Sequence, residues 1–255
     1  MRILAIGDVI GKPGRQALDT FLPQIKQEYQ VDLTIVNAEN SAHGIGVTPD
    51  TAEELLKAGA DVLTSGNHVW VHKTILPFLD SEMPLIRPFN YPPGVPGKGY
   101  IIKNGVLVVN LIGRTFMDNY DNPFLTMDAL LAQLENKPKI IIVDFHAEAT
   151  SEKVAMGRYL DGRVSAVLGT HTHVGTIDAM VLHGGTAYVT DIGMTGPLDS
   201  VIGDDPENVL KRFLTQLPHR LSAGSGKSVV NAILVSVDET TGKASGIERI
   251  QRETE

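Results

Sequence analysis

The sequence predicts a mixed α/β fold in which a parallel sheet is extended by antiparallel strands. Three observations lead there. Across about the first seventy residues, apolar runs of strand length alternate with amphipathic helical stretches, and this strand–helix–strand order gives parallel strands joined by right-handed crossovers. Further on, two strand-like runs flank His183-Gly184-Gly185, a hairpin signature, and the chain closes with a second antiparallel pair. Finally, nearly every strand of the first two-thirds ends in a polar cluster rich in Asp, Glu, Asn or His.

The elements follow in order. Arg2 to Gly7 reads as a buried first strand. Gly11, Pro13 and Gly14 read as a loop before a helix over 15–29, whose apolar face is Leu18, Phe21, Leu22 and Ile25. Leu33 to Val36 is a second strand ending in Asn37-Ala38-Glu39-Asn40. Thr48 before Pro49 is a helix start, a capping side chain followed by proline at the first helical position, and that helix runs to Gly59. Val62 to Thr64 is a third strand, ending at Gly66-Asn67-His68. Strands are also expected at Val106 to Ile112, at Ile140 to Val143 leading into Asp144-Phe145-His146, and at Val164 to Leu168 leading into Gly169-Thr170-His171-Thr172-His173. Helices are expected over 123–134, 149–160 and 205–217. Ile177 to Leu182 and Thr186 to Thr190 form the hairpin, and Ser228 to Val237 pairs with Ala244 to Ile250.

Composition narrows the classes of function. The chain has 255 residues, 42% of them hydrophobic. The proline- and glycine-dense stretch from Pro88 to Gly99 is short and lies between strand-like runs, so a loop is expected there and residues 1–255 are expected to form a single domain. Cysteine is absent, which excludes disulfides, thiolate metal sites and cysteine nucleophiles. Any metal must be held by His, Asp, Glu or Asn, a set suited to Mn, Fe, Zn or Mg. The formal charge is −8 with no cluster of Lys and Arg, so no stable nucleic-acid binding is expected. A small phosphate ester is still admissible, because bound cations supply charge that residue counting omits. No apolar stretch approaches membrane-span length, and the first residues lack a signal-peptide core, so no membrane association and a cytoplasmic location are expected.

The polar strand ends gather Asp8, Glu39, Asn40, Asn67, His68, His146, His171 and His173. In an extended chain, His171 and His173 would point to the same side. Singly, these residues have plainer readings: Asp8 as a helix cap or loop acid, Asn67 as a turn residue, His146 as a buried hydrogen-bonded histidine. Their recurrence at one edge is what favours a metal site, and so many ligands suit two cations sharing a bridging carboxylate. His43, His72, His183 and His219 lack that context and read as surface or structural. Gly224-Ser225-Gly226-Lys227-Ser228 resembles the end of a phosphate-binding loop, but Leu221 stands at the leading glycine position and a strand follows. Gly7 to Lys12 lacks the close Gly-x-Gly of a dinucleotide site, and no Gly-x-Ser-x-Gly nucleophile elbow is present.

The residues Gly7-Asp8, Gly66-Asn67-His68, His146 and Gly169 to His173 resemble, in order and spacing, the calcineurin-like metallophosphoesterases. NAEN at 37–40, DFHAEATSEK at 144–153 and TDIGMTGP at 190–197 resemble the YmdB-like branch, bacterial enzymes linked with hydrolysis of 2′,3′-cyclic nucleotides. The resemblance spans essentially the whole chain. It implies a four-layer αββα sandwich of two mixed sheets and two divalent or trivalent metal ions, Fe or Mn first and Zn as an alternative. It further implies that Asp8 and His173 hold the first metal, that Asn67, His146 and His171 hold the second, and that Glu39 bridges them. Three positions depart from the broader family. Ile10 replaces a histidine, and the YmdB-like branch suggests Asn40 as the substitute ligand. The bridging acid is Glu39 rather than aspartate. Val69 follows His68 where an acid is usual.

The implied activity is metal-dependent phosphodiester hydrolysis of a small cyclic nucleotide: hydroxide held between the two cations attacks phosphorus, and His68, not needed as a ligand, protonates the departing alkoxide as general acid. Arg114 reads either as a phosphate or base contact or as structural, and no substrate-binding residue is assigned. Two other functions use the same residues: a phosphomonoesterase, and a regulatory nucleotide-binding protein with little turnover. Self-association into a homo-oligomer is left open.

Overall fold

The computed structural model describes residues 1–254. The first sheet contains β1 (Arg2–Ile6), β2 (Asp8–Val9), β3 (Leu33–Asn37) and β4 (Val62–Thr64). The helices beside it are α1 (Gly11–Tyr29) and α2 (Pro49–Ala58), followed by the short α3 (Leu76–Leu79). The second sheet contains β5 (Tyr100–Lys103), β6 (Val106–Ile112), β7 (Ile140–His146), β8 (Ala166–Thr170), β9 (Met180–Val181) and β10 (Ala187–Val189), with α4 (Pro123–Gln133) and α5 (Thr150–Tyr159) between its strands. The chain then returns to the first sheet through β11 (Met194–Pro197), α6 (Pro206–Thr215), β12 (Ser228–Val237) and β13 (Ala244–Glu253).

The first sheet has the order β2-β11-β12-β1-β3-β4, with β13 on the other edge of β12; the second has the order β5-β6-β7-β8-β10-β9. Both are mixed. β1, β3 and β4 run parallel, as do β6, β7, β8 and β10, whereas β12, β13, β5 and β9 pair antiparallel.

Three separate apolar clusters fill the spaces between four layers. Leu4, Ile6 and Val36 pack under Leu18, Leu22 and Leu55 of α1 and α2. Ile3, Ala5 and Ile35 meet Val108, Ile142 and Leu168 between the sheets. Leu107, Val109, Ile141 and Val143 pack outward with Leu130 and Met156 of α4 and α5. The chain is therefore an αββα sandwich, and strands covered on both faces read as continuous apolar runs.

Period-two alternation positions the polar residues. The between-sheet rows Leu33-Ile35, Val106-Val108, Ile140-Ile142 and Ala166-Leu168 continue into Asn37, Asn110, Asp144 and Thr170. These residues and Thr64 are buried and bonded to one another: Asp144 accepts from Asn37, Thr64 and Thr170, and Asn110 accepts from the Ser65 amide at 3.1 Å across the sheets. The apolar interior thus ends in a satisfied polar layer.

Several elements differ from the sequence reading. Gly11, Pro13 and Gly14 belong to α1 rather than to a loop, because Pro13 falls in the first turn, where its missing N–H has no helical partner to lose. β8 lies two residues later than expected, at Ala166–Thr170, and the hairpin strands are shorter. β11 is an unanticipated strand. It inserts where β1 bends away from β12 at Gly7, pairing Met194 with Asp8 on one side and Gly196 with Val229 on the other. At the bend, a Cβ on Gly7 would overlap the Gly193 carbonyl oxygen.

Gly7→Ala is therefore expected to lower the free energy of unfolding by about 3 kcal/mol, the upper range of overpacking, because the obstacle is backbone. Urea denaturation measures it; a change within about 0.5 kcal/mol would show that β11 yields freely.

Candidate metal centre

All eight residues gathered from the strand ends lie at the edge where the two parallel sets finish. The sequence reading placed them there by strand direction alone. The structure brings them within contact of one another, while Arg114 is exposed at a separate surface hollow with Thr115, Asn122 and Phe124.

One group surrounds His146. Its Nδ1 lies 3.0 Å from Thr170 Oγ1, which itself donates to Asp144 at 2.7 Å, so Nδ1 carries the proton and Nε2 a lone pair. Around that Nε2 stand His171 Nδ1 at 3.0 Å, Glu39 Oε1 at 3.1 Å and Asn67 Oδ1 at 3.2 Å. His171 Nε2 faces Glu148 at 3.1 Å and donates there, so its Nδ1 is also an acceptor. Four acceptors face one another without a donor between them, and Glu39, His146 and His171 form a set able to hold one cation.

A second group adjoins it. Asp8 is fully buried; its Oδ2 accepts from the His171 amide at 3.2 Å, while Oδ1 has no hydrogen-bond partner and lies 3.7 Å from His173 Nε2. His173 Nδ1 donates to the Ile202 carbonyl at 2.6 Å, which makes Nε2 an acceptor, and the Asn40 side-chain amide donates to it at 3.2 Å. Glu39 stands between the groups with Oε1 unbonded, although His68 Nδ1 and His146 Nε2 are close. Orphaned buried carboxylate oxygens beside unprotonated imidazole nitrogens fit a pair of hard or borderline cations.

The electrostatics agree. Burial alone would raise the Glu39 carboxyl, but His146 and His68 outweigh it and hold Glu39 below the usual carboxylate range. Burial raises Asp8 against the pull of His173 and His146. It would also lower His146, yet Glu39 and Asp8 push that imidazole up to about 9: without another cation, a proton is the charge these acceptors draw. Burial and then His146 lower His171 to about 3.

Local backbone explains how the ligands fit. Gly66 leaves room for Glu39 and the His146 ring, both of which a Cβ would overlap. The extended geometry expected for the His-x-His pair is not what forms. β8 stops at Thr170, and His171 and His173 adopt φ of 95° and 65°, left-handed values that non-glycine residues rarely take. The histidines converge through this strained loop, not through strand alternation. Ile10, at the position where the broader family has histidine, is buried against Gly196 of β11 and against Gly203, which follows the Ile202 whose carbonyl meets His173. Val69 is buried in the helix-side core, so it is Asn40 Oδ1, 3.0 Å from His68 Nδ1, and Glu39 Oε2, which accepts from the His68 amide at 3.3 Å, that orient His68.

Sequence reasoning missed the residues that hold the strained loop. Lys153 and Asp191 form a buried ion pair at 2.7 Å, and the same Asp191 oxygen accepts from the Thr172 amide at 3.1 Å and hydroxyl at 2.6 Å, between the two histidines. Glu148 and the Thr170–Asp144 pair were missed as well. Their signal was present, since 144–153 and 190–197 carry the family-like text, but pairing across the fold is not visible in one sequence.

Residues 4–250 match the family described as YmdB-like protein. The chain belongs to that family. It is 50% identical over 254 residues to a Bacillus subtilis (strain 168) protein named 2′,3′-cyclic-nucleotide 2′-phosphodiesterase, covering 98% of this chain and 96% of the relative. Among solved structures, a hypothetical protein from Thermus thermophilus superposes with a TM-score of 0.93 at 46% identity, covering 99% of each chain. A structure described as a novel phosphatase from Mycoplasma pneumoniae also gives 0.93, at 35% identity, covering 99% of this chain and 93% of that one. Among the described residues of this YmdB-like chain, no helix is long and apolar enough to cross a membrane.

Asp191→Asn would leave the Lys153 ammonium buried without its counter-charge. The expected loss of stability is about 3–5 kcal/mol by chemical denaturation; a loss below about 1 kcal/mol would class the pair with ordinary surface bridges.

Proposed function

We propose that this protein is a phosphodiesterase that uses two metal ions to hydrolyse 2′,3′-cyclic nucleotides. Asp8, Asn40 and His173 would hold one ion, Asn67, His146 and His171 the other, with Glu39 between them. The observation that carries this function is the crowd of acceptors around His146 Nε2 and Glu39 Oε1, which among the described residues no hydrogen-bond donor satisfies. The Bacillus subtilis relative's name supplies the substrate class. When bound, the ions supply the positive charge that attracts a phosphodiester and acidifies water; Fe or Mn suits the donor set, and Zn is the alternative.

The chain's own residues do the rest. Glu148 and the Ile202 carbonyl bond the outer ring nitrogens of His171 and His173, which turns the inner nitrogen of each ring toward the site. His68 differs from the other histidines. Its Nδ1 is engaged by Asn40, its side chain is 31% exposed, and among the described residues no group bonds its Nε2. In this position Nε2 is the atom that delivers a proton to the departing ribose oxygen.

A phosphomonoesterase on the same residues is the second reading, favoured by the description of the Mycoplasma pneumoniae structure as a phosphatase. Parallel assays of 2′,3′-cyclic AMP and of 3′-AMP separate the two; preference for the monoester would reject the diesterase. His68→Ala should retain its metal and lose roughly 10²–10⁴-fold in kcat on the cyclic diester. Full activity in that variant would remove His68 from the chemistry.

A further inference from the structure

We propose that Trp70, Tyr91 and Tyr120 form a wall on which the nucleobase of the substrate rests, so that the site prefers cyclic phosphodiesters carrying a base over base-free ones. This rests on the phosphodiesterase function above, with His68 as proton donor.

The three rings make a continuous edge-to-face ladder. The Trp70 and Tyr91 centroids are 5.3 Å apart at 82°, and those of Tyr91 and Tyr120 are 5.0 Å apart at 73°. They come from three loops that border the metal centre. Trp70 lies two residues beyond His68, in the turn closed by the Val71 amide donating to the His68 carbonyl at 3.0 Å. Tyr91 follows Asn90, whose side-chain amide donates to Ile112 at the end of β6 and to Asp121 beside Tyr120. The ladder therefore runs along the flank of the cleft where β4 and β6 end. Trp70 and Tyr91 pack against the helix-side core from one side, and all three rings remain only partly buried. This makes them a braced apolar surface rather than core. Burial is the main cause that raises both tyrosines above the ordinary phenol range, and the Glu39 charge adds in the same direction, as expected for hydroxyls near the site.

The chemistry connects the ladder to the substrate. When a nucleoside 2′,3′-cyclic phosphate is hydrolysed, the water oxygen bonds to phosphorus and a P–O bond to the ribose breaks. The ribose oxygen keeps the electron pair and takes a proton, and the product is a nucleoside monophosphate. Ribose and base must therefore lie on the side of the proton donor. Here that donor is His68, and the ladder starts two residues further along the same turn, at Trp70. Stacking on an aromatic face is available to every base, so selection is for the presence of a base more than for its identity.

Trp70 is the sole tryptophan of the chain, so its fluorescence reports on the ladder directly. In the metal-loaded protein, adenosine 3′-phosphate should quench that emission saturably and glycerol 3-phosphate should not. In kinetics, Tyr120→Ala should lower the ratio of kcat/KM for 2′,3′-cyclic AMP to that for glycerol 1,2-cyclic phosphate by about tenfold, and Tyr120→Trp should keep it. General damage to the fold would depress both substrates and leave the ratio alone. Equal quenching by the two phosphates, or an unchanged ratio in Tyr120→Ala, overturns the wall. A wild-type protein that hydrolyses neither cyclic phosphate removes the phosphodiesterase function, and the wall with it.

Discussion

The site depends on one electrostatic constraint: several buried acceptors are pressed together with no donor among them. Glu39 Oε1 and Asp8 Oδ1 are sealed from water and unbonded, and the His146 and His171 lone pairs face each other at 3.0 Å. Isolated buried carboxylates are costly, and folded chains normally satisfy or neutralise them. This chain instead satisfies the outer atom of each ligand. Thr170 accepts from His146 Nδ1, Glu148 from His171 Nε2, the Ile202 carbonyl from His173 Nδ1, and the His171 amide donates to Asp8. The inner atoms are left in common need of positive charge.

The sandwich makes such crowding attainable. Two parallel sets of strands end at the same edge, and the between-sheet rows change from aliphatic to polar one residue pair before it. Asn37, Thr64, Asn110, Asp144 and Thr170 bond across the sheets, so the ligands stand on a satisfied polar floor. Asp144 is pushed up to about 6, mainly by burial, with Thr64 pulling the other way. Glycines allow the close approach: Gly7 at the bend before Asp8, Gly66 under Glu39 and His146, and Gly169 against the Thr190 carbonyl. The left-handed His171 and His173 are held by packing on both sides, from the Lys153–Asp191 pair and from the loop under which Ile10 packs.

Much of this was legible in the sequence, for local reasons. Apolar runs with ligand-type residues at their ends mark strands and their polar edge, because parallel order fixes which ends meet. Asp8, Glu39, Asn40, Asn67, His68, His146, His171 and His173 could be gathered that way. The geometry of the His-x-His pair could not, since positive φ in non-glycine residues is imposed by tertiary bonds to Thr172 and His173. β11 was invisible because a four-residue strand containing glycine and proline has no pattern of its own. Lys153 and Asp191 lie far apart in sequence, and only the fold makes them partners. Ile10 and Val69, departures from the broader pattern, turn out to be core residues.

The central claim is that the acceptors around Glu39 exist to hold two cations, and metal content tests it most directly. After equilibration with Mn²⁺ or Fe²⁺ and removal of free ions, elemental analysis should find about two ions per chain, as a bridged pair requires. Glu39→Gln, which removes the shared charge, should retain at most about one. A wild-type protein that binds no metal under these conditions would contradict the account.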